Sequence, residues 1–233
     1  MKKVLVFDLH DTLVKEVSFS LRRGYAWLWE TYLRGVCTLD EVYGYTDSFT
    51  EDLARRRVDD HEVHLVNDIV RRIFEKFGVP MPADTAQLER DLIDHTHEVT
   101  VADSVREGLN ALAARGIPMY VLSNSIYTVN ALSYLLEQFD LLRLFGGVWA
   151  SADYGVRKPA AGFFEQVFRD ILARHPGLSK ADLVYIGNDY RTDVAGAVGV
   201  GVDAIWYDVA GRPDERGLAM AVMDDFRKLP ALI

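Results

Sequence analysis

The stretch VLVFDLHDTLV, residues 4–14, joins a short apolar run to a group of polar side chains. Its apolar residues are consecutive rather than alternating with polar ones, which is typical of a central strand in a parallel sheet with both faces covered. The run stops at Asp8, and His10, Asp11 and Thr12 follow closely. This pattern predicts a buried strand that presents Asp8 at its carboxyl end.

Similar apolar runs recur along the chain and alternate with helical patterns. The runs are IPMYVLSN, GGVWAS, LVYIGND and a weaker one, VDAIWYD. Residues 104–115, 159–172 and 192–200 carry apolar side chains at helical spacing. The alternation predicts an α/β fold in which helices cover a parallel sheet. In such open sheets, ligands bind beyond the carboxyl ends of the strands.

The segment between the first two of these strands is too long to be a simple crossover. Residues 14–101 show no convincing strand, but they contain several stripes of apolar side chains at helical spacing. We therefore predict a separate helical subdomain, residues 15–100, near the strand ends. Residues 1–14 and 101–233 would form the core into which this subdomain is inserted.

The composition argues against several classes of partner. With a formal net charge of −9, the chain would repel a nucleic-acid backbone or an anionic membrane. The apolar run after Lys3 is too short for a secretion signal, and no run approaches the ~20 residues that span a bilayer. Cys37 is the only cysteine, so no intrachain disulfide is possible. We expect a soluble cytoplasmic protein, a monomer or homodimer, that binds neither nucleic acid nor membranes.

Polar side chains follow the main predicted strands at the point where each strand ends. These are Asp8, the pair Ser123 and Asn124, and the pair Asn188 and Asp189. Any one of them alone would be read as a turn former or a helix cap. Because neighbouring strands all end in side chains that can bind an anion or a metal, we predict a binding site there. Carboxylate and amide oxygens from Asp8, Asn188 and Asp189 are the ligands that Mg²⁺ prefers.

The same edge of the sheet contains groups suited to a phosphoryl group. Lys158 follows the GVWAS strand and would add a positive charge. Ser123 and nearby backbone N–H groups would donate hydrogen bonds to phosphoryl oxygens. A lone lysine is usually a solvated surface residue, so Lys158 is a candidate because of its neighbours.

Four segments, taken in order, resemble the motifs of the haloacid dehalogenase-like hydrolase superfamily. They are FDLHDTL, LSNS, GVRKP and IGNDYRTDVAGA, and the resemblance covers essentially the whole chain. It implies a Rossmann-like core and identifies the inserted subdomain as a helical cap that closes over the cleft. It also implies that Asp8 is a nucleophile that forms an aspartyl-phosphate, with Mg²⁺ present, and that Thr12 and Asn124 lie at the substrate.

The first motif departs from the family pattern at His10 and Asp11. His10 stands where phosphatases of the family usually carry a second aspartate, the general acid and base, and histidine can also transfer protons near neutral pH. The resemblance implies that the residue at position 10 contacts the metal through its backbone carbonyl. Asp11 replaces the usual glycine, and we interpret it as a turn residue with left-handed backbone.

The fourth motif also departs from the pattern, because Asn188 stands where an aspartate is common. Asp189 and Asp193 keep a four-residue spacing, and two carboxylates favour a Mg²⁺ enzyme over a metal-independent dehalogenase. Asp193 would not contact the substrate itself, but would orient Lys158 or a water molecule that does. Capping of the following helix is the alternative role.

Substrate choice is expected to lie with the inserted subdomain. Arg22, Arg23 and Tyr25 are close enough in sequence to the catalytic strand to face the cleft, although arginines on amphipathic helices are mostly solvated. The histidine pairs at 61 and 64 and at 95 and 97 lack further ligands for a zinc site, so we interpret them as surface or packing residues.

Three functions are consistent with these patterns. The first is a Mg²⁺-dependent phosphatase that acts on a small phosphorylated metabolite. The second is a 2-haloacid dehalogenase that uses the same Asp8 nucleophile. The third is a protein that binds a metal or a phosphorylated ligand with little turnover, because His10 replaces the usual acid/base aspartate.

Overall fold

The computed structural model describes residues 3–58 and 61–233. Residues 1–2 of the predicted core and 59–60 of the predicted insertion lie outside the described residues. The described strands are β1 (Val4–Phe7), β2 (Lys15–Phe19), β3 (His97–Thr100), β4 (Met119–Ser123), β5 (Val148–Ala150), β6 (Leu183–Gly187), β7 (Asp203–Tyr207) and β8 (Ala221–Met223).

A six-stranded parallel sheet forms the core, in the order β5-β4-β1-β6-β7-β8. Every residue of β1 is fully buried, as its continuous apolar sequence predicts. β1 lies in the interior of the sheet, where Phe7 is aligned with Val121 of β4 and Ile186 of β6. The carboxyl ends of these strands are therefore neighbours. All strands predicted from apolar runs are confirmed, and β8 is an additional edge strand.

Helices cover both faces of this sheet, which confirms the predicted α/β, Rossmann-like fold. One face packs against α5 and α6 through residues such as Leu109 and Leu132, and the other packs against α7 and α8 through residues such as Phe164 and Ala197. The described α-helices are α1 (Leu21–Leu28), α2 (Leu39–Val58), α3 (Arg71–Phe77), α4 (Thr85–Thr96), α5 (Asp103–Ala114), α6 (Val129–Gln138), α7 (Ala161–Leu172), α8 (Ala195–Gly199) and α9 (Leu229–Leu232). π-helical turns at Trp29–Leu33, Leu65–Val70 and Tyr190–Val194 adjoin α1, α3 and α8.

The segment between β1 and β4 is mainly helical and contains α1 to α4. The expectation that it lacks strands is wrong at its two ends, where β2 and β3 pair in antiparallel orientation. Both strands alternate between exposed and half-buried residues and carry several polar side chains, so neither shows the continuous apolar run of a core strand. The pair forms the two connections between the inserted helices and the core. Within the described residues, no helix has both the length and the apolar character needed to cross a membrane.

A buried carboxylate joins the inserted segment to the core. The side chain of Glu62 accepts a hydrogen bond from Ser151 Oγ at 2.7 Å, and Arg57 Nε lies 3.0 Å from its other carboxylate oxygen. Arg157 Nε lies 3.7 Å from Glu62, and the Glu62 backbone N–H donates to the carbonyl oxygen of Gly155 at 3.1 Å. The inserted segment thus contacts the loop that leads to Lys158 at several points.

Candidate active site

The predicted convergence of polar strand ends is present around the hydroxyl of Thr12. Thr12 Oγ1 lies 3.3 Å from Asp8 Oδ2 and 3.1 Å from Asn188 Oδ1. Asp8 follows β1 and Asn188 follows β6, and the backbone N–H of Asp8 donates to the carbonyl oxygen of Ile186 at 2.8 Å. One hydroxyl therefore links the ends of two adjacent parallel strands.

The turn after Asp8 has the geometry that its sequence predicts. Asp11 has a φ of 55°, which lies in the left-handed region, so its interpretation as a turn residue is confirmed. Its Oδ1 accepts hydrogen bonds from the Glu16 backbone N–H and from Lys15 Nζ. Leu9 and Leu13 are buried on either side of the turn. These apolar anchors and the aspartate hold the loop that carries His10 and Thr12.

Lys158 is buried, with only 2% of its surface exposed, and its ammonium group contacts three side chains. Nζ lies 2.7 Å from Asp8 Oδ1, 2.6 Å from Asp193 Oδ1 and 2.7 Å from the hydroxyl of Tyr185. Tyr185 in turn donates to the carbonyl oxygen of Leu122 at 2.9 Å. Burial lowers the pKa of Lys158, but the carboxylates of Asp193 and Asp8 outweigh this effect, so the pKa is raised overall. The lysine therefore remains an ammonium ion beside Asp8.

Asp193 is the second carboxylate that contacts the Lys158 ammonium. Its Oδ2 accepts a hydrogen bond from the Asp189 backbone N–H at 3.0 Å. Burial raises the pKa of Asp193, although the charge of Lys158 opposes this shift. Helix capping falls to Asp189 instead, because its Oδ1 accepts from the Thr192 backbone N–H at 2.6 Å.

The position of Asp193 requires a glycine at the end of β6. A Cβ atom on Gly187 would lie 2.4 Å from Asp193 Cγ, which is shorter than any real contact. We expect Gly187→Ala to displace Asp193 from Lys158 and to lower kcat by about 10²-fold, because small displacements of positioned groups are costly. Steady-state kinetics would measure this loss. Gly199→Ala is the matched control, since nothing lies within 4 Å of its added Cβ. Equal kinetics of the two variants would contradict the prediction.

Ser123 and Asn124 lie at the end of β4. Ser123 is fully buried, and its hydroxyl donates to the Asn124 carbonyl oxygen at 3.4 Å. The Asn124 side chain makes two hydrogen bonds with the backbone of Lys158. Asn124 Nδ2 donates to the Lys158 carbonyl oxygen at 3.0 Å, and the Lys158 backbone N–H donates to Asn124 Oδ1 at 2.7 Å. Asn124 therefore fixes the backbone from which the buried lysine extends.

Oxygen donors suited to Mg²⁺ surround the ends of β1 and β6. Asp8 and Asn188 direct Oδ2 and Oδ1 to the Thr12 hydroxyl, as described above. The Asn188 carbonyl oxygen accepts from Trp206 Nε1 at 3.0 Å, which fixes the start of the loop. Asp189 is exposed, and its Oδ1 caps the following helical turn. A set of carboxylate and amide oxygens fits a hard cation such as Mg²⁺.

The ring of His10 lines a cavity beside this cluster. The cavity has a volume of about 370 Å³, within the range of small-molecule sites, and Asn124 and Ser125 also line it. Burial lowers the pKa of His10, although the charges of Glu16 and Asp11 oppose this effect. The ring Nδ1 is buried and has no hydrogen-bond partner among the described residues. The rest of the wall is largely apolar, with contributions from Phe19, Leu21, Tyr25, Leu53, Ile69 and Tyr127.

The structure does not bring Arg22 or Arg23 to this cavity. Arg22 forms an exposed ion pair with Asp47 at 2.8 Å. Arg23 donates to the backbone carbonyl oxygens of Ser18 and Thr96, at 3.3 and 2.8 Å, and so connects β2 to the end of α4. The orientation of α1 explains why the arginines do not reach the cavity, because Tyr25 on the same helix does line it.

Sequence reasoning missed several side chains at the cavity, among them Glu16 and His97. His97 Nε2 lies 3.6 Å from Glu16 Oε2, and the rings of His97 and His10 are 5.4 Å apart. The spacing of His95 and His97 gave no signal for this group, because its members come from β2, β3 and the loop after β1. His95 itself is exposed and stacks on Trp27.

Comparison with known proteins agrees with the sheet topology and with the motifs at the strand ends. Residues 2–201 match the model of the haloacid dehalogenase-like hydrolase family. The match covers most of the chain, and the chain belongs to this family of hydrolases.

Individual relatives are distant. The chain is 25% identical over 210 residues to a pyrimidine 5'-nucleotidase of Streptococcus pneumoniae, an alignment that covers 88% of this chain and 84% of the relative. A 2-haloacid dehalogenase from Pseudomonas syringae superposes with a TM-score of 0.67 at 22% identity, covering 100% of this chain and 98% of the other. A phosphatase of the same family from Thermococcus onnurineus gives a TM-score of 0.61 at 18% identity, with coverages of 99% and 97%. These structural similarities show the fold.

Proposed function

We propose that the protein is a Mg²⁺-dependent phosphatase that hydrolyses a small phosphorylated metabolite through an aspartyl-phosphate. The observation that carries the proposal is the Asp8 carboxylate, which is buried, bound to the Lys158 ammonium at 2.7 Å and adjacent to further oxygen donors. The nucleotidase from Streptococcus pneumoniae supports a phosphate ester as substrate, since its name describes such a reaction.

The Asp8 carboxylate would attack the phosphorus atom. The bond between phosphorus and the ester oxygen breaks, the leaving alcohol takes a proton, and the phosphoryl group stays on Asp8. Water then attacks the phosphorus, inorganic phosphate leaves, and the free carboxylate is restored. Asp8, the His10 backbone carbonyl, Asn188 and Asp189 would hold Mg²⁺, which neutralises charge on the phosphoryl oxygens when bound.

Lys158, Ser123 and Thr12 are the proposed phosphoryl-binding groups. Lys158 contributes a positive charge at a site where water is excluded, and its interactions are stronger there than at a surface. Thr12 contacts Asp8 directly. We assign Asn124 and Asp193 to positioning, because each is bonded to Lys158.

His10 is the proposed proton-transfer group. Its ring lines the cavity, and the ring lies two residues after the nucleophile in a loop fixed by Asp11. Histidine can accept a proton from the attacking water or supply one to the leaving alcohol. In the phosphatases that the sequence resembles, an aspartate usually occupies this position. We therefore expect a change at His10 to affect the rate of turnover more than any other property of the protein.

The inserted segment, residues 15–100, is the proposed cap and the proposed determinant of the substrate. It supplies most of the apolar wall of the cavity, including Phe19, Tyr25 and Leu53. Such a wall favours a substrate whose phosphate is attached to an organic group with apolar or aromatic surface. A nucleoside monophosphate is one candidate of this kind. Arg22 and Arg23 are not part of this proposal, because both are engaged elsewhere.

Phosphate release from a panel of phosphorylated metabolites, nucleotides and an aryl phosphate tests the proposal. We expect release only with Mg²⁺ present and loss of release when EDTA removes it, because the donors suit a hard cation. The same panel should be run with His10→Asp. If the unaltered protein releases no phosphate and the His10→Asp variant does, the result would instead support the hypothesis of a binding protein with little turnover. Chloride release from 2-haloacids without added metal would support the dehalogenase alternative.

A further inference from the structure

A second group of metal-ligand side chains lies beside the cavity, separate from the oxygen donors described above. One ring nitrogen of His10, one of His97 and a carboxylate oxygen of Glu16 lie within 4.8 Å of one another. Nε2 of His97 and Oε2 of Glu16 are 3.6 Å apart. All three side chains line the same cavity.

The contacts of His97 favour one of its two tautomers. Thr96 Oγ1 lies 2.8 Å from the carbonyl oxygen of Leu92, to which it donates, and it also contacts the Tyr127 hydroxyl. With the Thr96 hydrogen engaged at Leu92, the 3.0 Å contact between Thr96 Oγ1 and His97 Nδ1 fits a hydrogen on Nδ1. The Nε2 lone pair consequently lies next to the carboxylate of Glu16. Two electron-rich atoms are neighbours there, and a cation between them would remove the repulsion.

Aromatic side chains pack against the His97 ring, and the Arg23 side chain is bonded to other groups. Phe19 and Tyr127 pack on the His97 ring, with ring centroids 4.6 and 5.2 Å away. Arg23 is directed to backbone carbonyl oxygens and to the Ser18 hydroxyl.

His10 adds an independent observation. Its buried Nδ1 has no hydrogen-bond partner among the described residues. Buried polar atoms in folded proteins are normally hydrogen-bonded. The ring that carries this unpartnered nitrogen also lies beside a second imidazole and a carboxylate, as the ring of a metal-ligating histidine would.

We propose that His10, Glu16 and His97 bind a transition-metal cation of the Zn²⁺ type. Two imidazoles and one carboxylate suit Zn²⁺, Co²⁺ or Ni²⁺, whereas Mg²⁺ prefers oxygen ligands alone. Three protein ligands leave a further coordination position open to the cavity. The bond from His97 Nδ1 to Thr96 orients the ring from outside, as partners of metal-bound histidines commonly do.

The positions of these ligands in the fold suggest what a bound cation does. Glu16 lies on β2 and His97 on β3, the two connections between the inserted helices and the core. His10 lies on the loop that follows Asp8. A bound cation therefore ties both connections to the catalytic loop. This consequence rests on the proposed function: a cation that occupies the His10 ring removes it from proton transfer and inhibits hydrolysis.

Titration of the metal-free, full-length protein with Co²⁺ in excess Mg²⁺ tests the proposed site. The protein must carry no histidine tag, and bound Co²⁺ is followed by its visible absorption and by calorimetry. We expect one equivalent of Co²⁺ that Zn²⁺ displaces. His97→Gln and Glu16→Gln should each weaken binding by about tenfold or more, whereas His95→Gln, at an exposed histidine two residues from His97, should bind as the unaltered protein does.

Two outcomes would overturn the proposal. One is an unaltered protein that takes up no Co²⁺ in excess Mg²⁺, and the other is a Glu16→Gln variant with unchanged affinity. The Glu16 side chain is 33% exposed, so this variant provides the answer even where His97→Gln does not fold. Phosphate release measured on the same samples separates this proposal from the proposed function, because uptake of Co²⁺ does not depend on phosphatase activity.

Discussion

Asp8→Asn is expected to abolish phosphate release, with a fall in kcat of at least about 10⁴-fold. The substitution keeps the size of the side chain but removes the carboxylate that we propose as the nucleophile, and loss of a nucleophile has effects of this order in other hydrolases. The fold should persist, because Lys158 keeps its contacts with Asp193 and Tyr185. Steady-state kinetics and thermal unfolding would measure the two effects.

Asp11→Asn is the matched control for this substitution. Asp11 lies in the same loop, and asparagine tolerates its left-handed backbone conformation. The Asn side chain also keeps an oxygen to accept from the Glu16 backbone N–H. We expect this variant to retain kcat within about twofold, as for other substitutions away from reacting groups. An Asp8→Asn variant as active as Asp11→Asn would remove Asp8 from the mechanism.

Lys158→Met should have the second largest effect, on both activity and stability. Loss of the ammonium removes the charge beside the phosphoryl group, and we expect kcat to fall by about 10²–10³-fold. Asp8 and Asp193 would then be buried without their counter-ion, which costs about 3–5 kcal/mol when a buried pair is broken in this way. Kinetics and chemical denaturation would measure the two losses.

Two further variants separate the charge effect from a general loss of packing. Lys158→Met combined with Asp193→Asn removes one of the uncompensated carboxylates, so it should recover part of the stability and none of the activity. Lys180→Met removes a partly exposed lysine that pairs with Glu165, and such pairs contribute less than about 1 kcal/mol. A Lys158→Met variant as stable as Lys180→Met would show that the buried cluster has little energetic weight.

The sequence predicts the core sheet well, because each central strand is a continuous apolar run that only a doubly covered parallel sheet explains. It predicts β2, β3 and β8 poorly, because most of their residues are exposed or half-buried, as Val222 of β8 is. Their pairing depends on residues far apart in the chain, such as Phe19 and His97. Local patterns contain no information about such partners.

Some residues of the candidate site could also be predicted from the sequence, and others could not. Asp8, Asn188 and Lys158 could be named because each follows a predicted strand, and parallel strands place their ends together. Tyr185 could not, because its role depends on which face of β6 meets the lysine. The sequence also could not predict where the side chains of Arg22 and Arg23 lie, because only tertiary packing determines which face of a helix is turned to the cavity.

The buried carboxylate of Glu62 links the inserted segment to the loop that carries Lys158. Glu62 belongs to the inserted segment, yet Ser151 and Gly155, which it contacts, begin the loop that ends at Lys158. Withdrawal of the inserted segment from the core therefore removes supports from that loop. A ligand that holds the segment against the core would also keep these supports in place, so under the proposed mechanism Lys158 is best positioned when the substrate is enclosed.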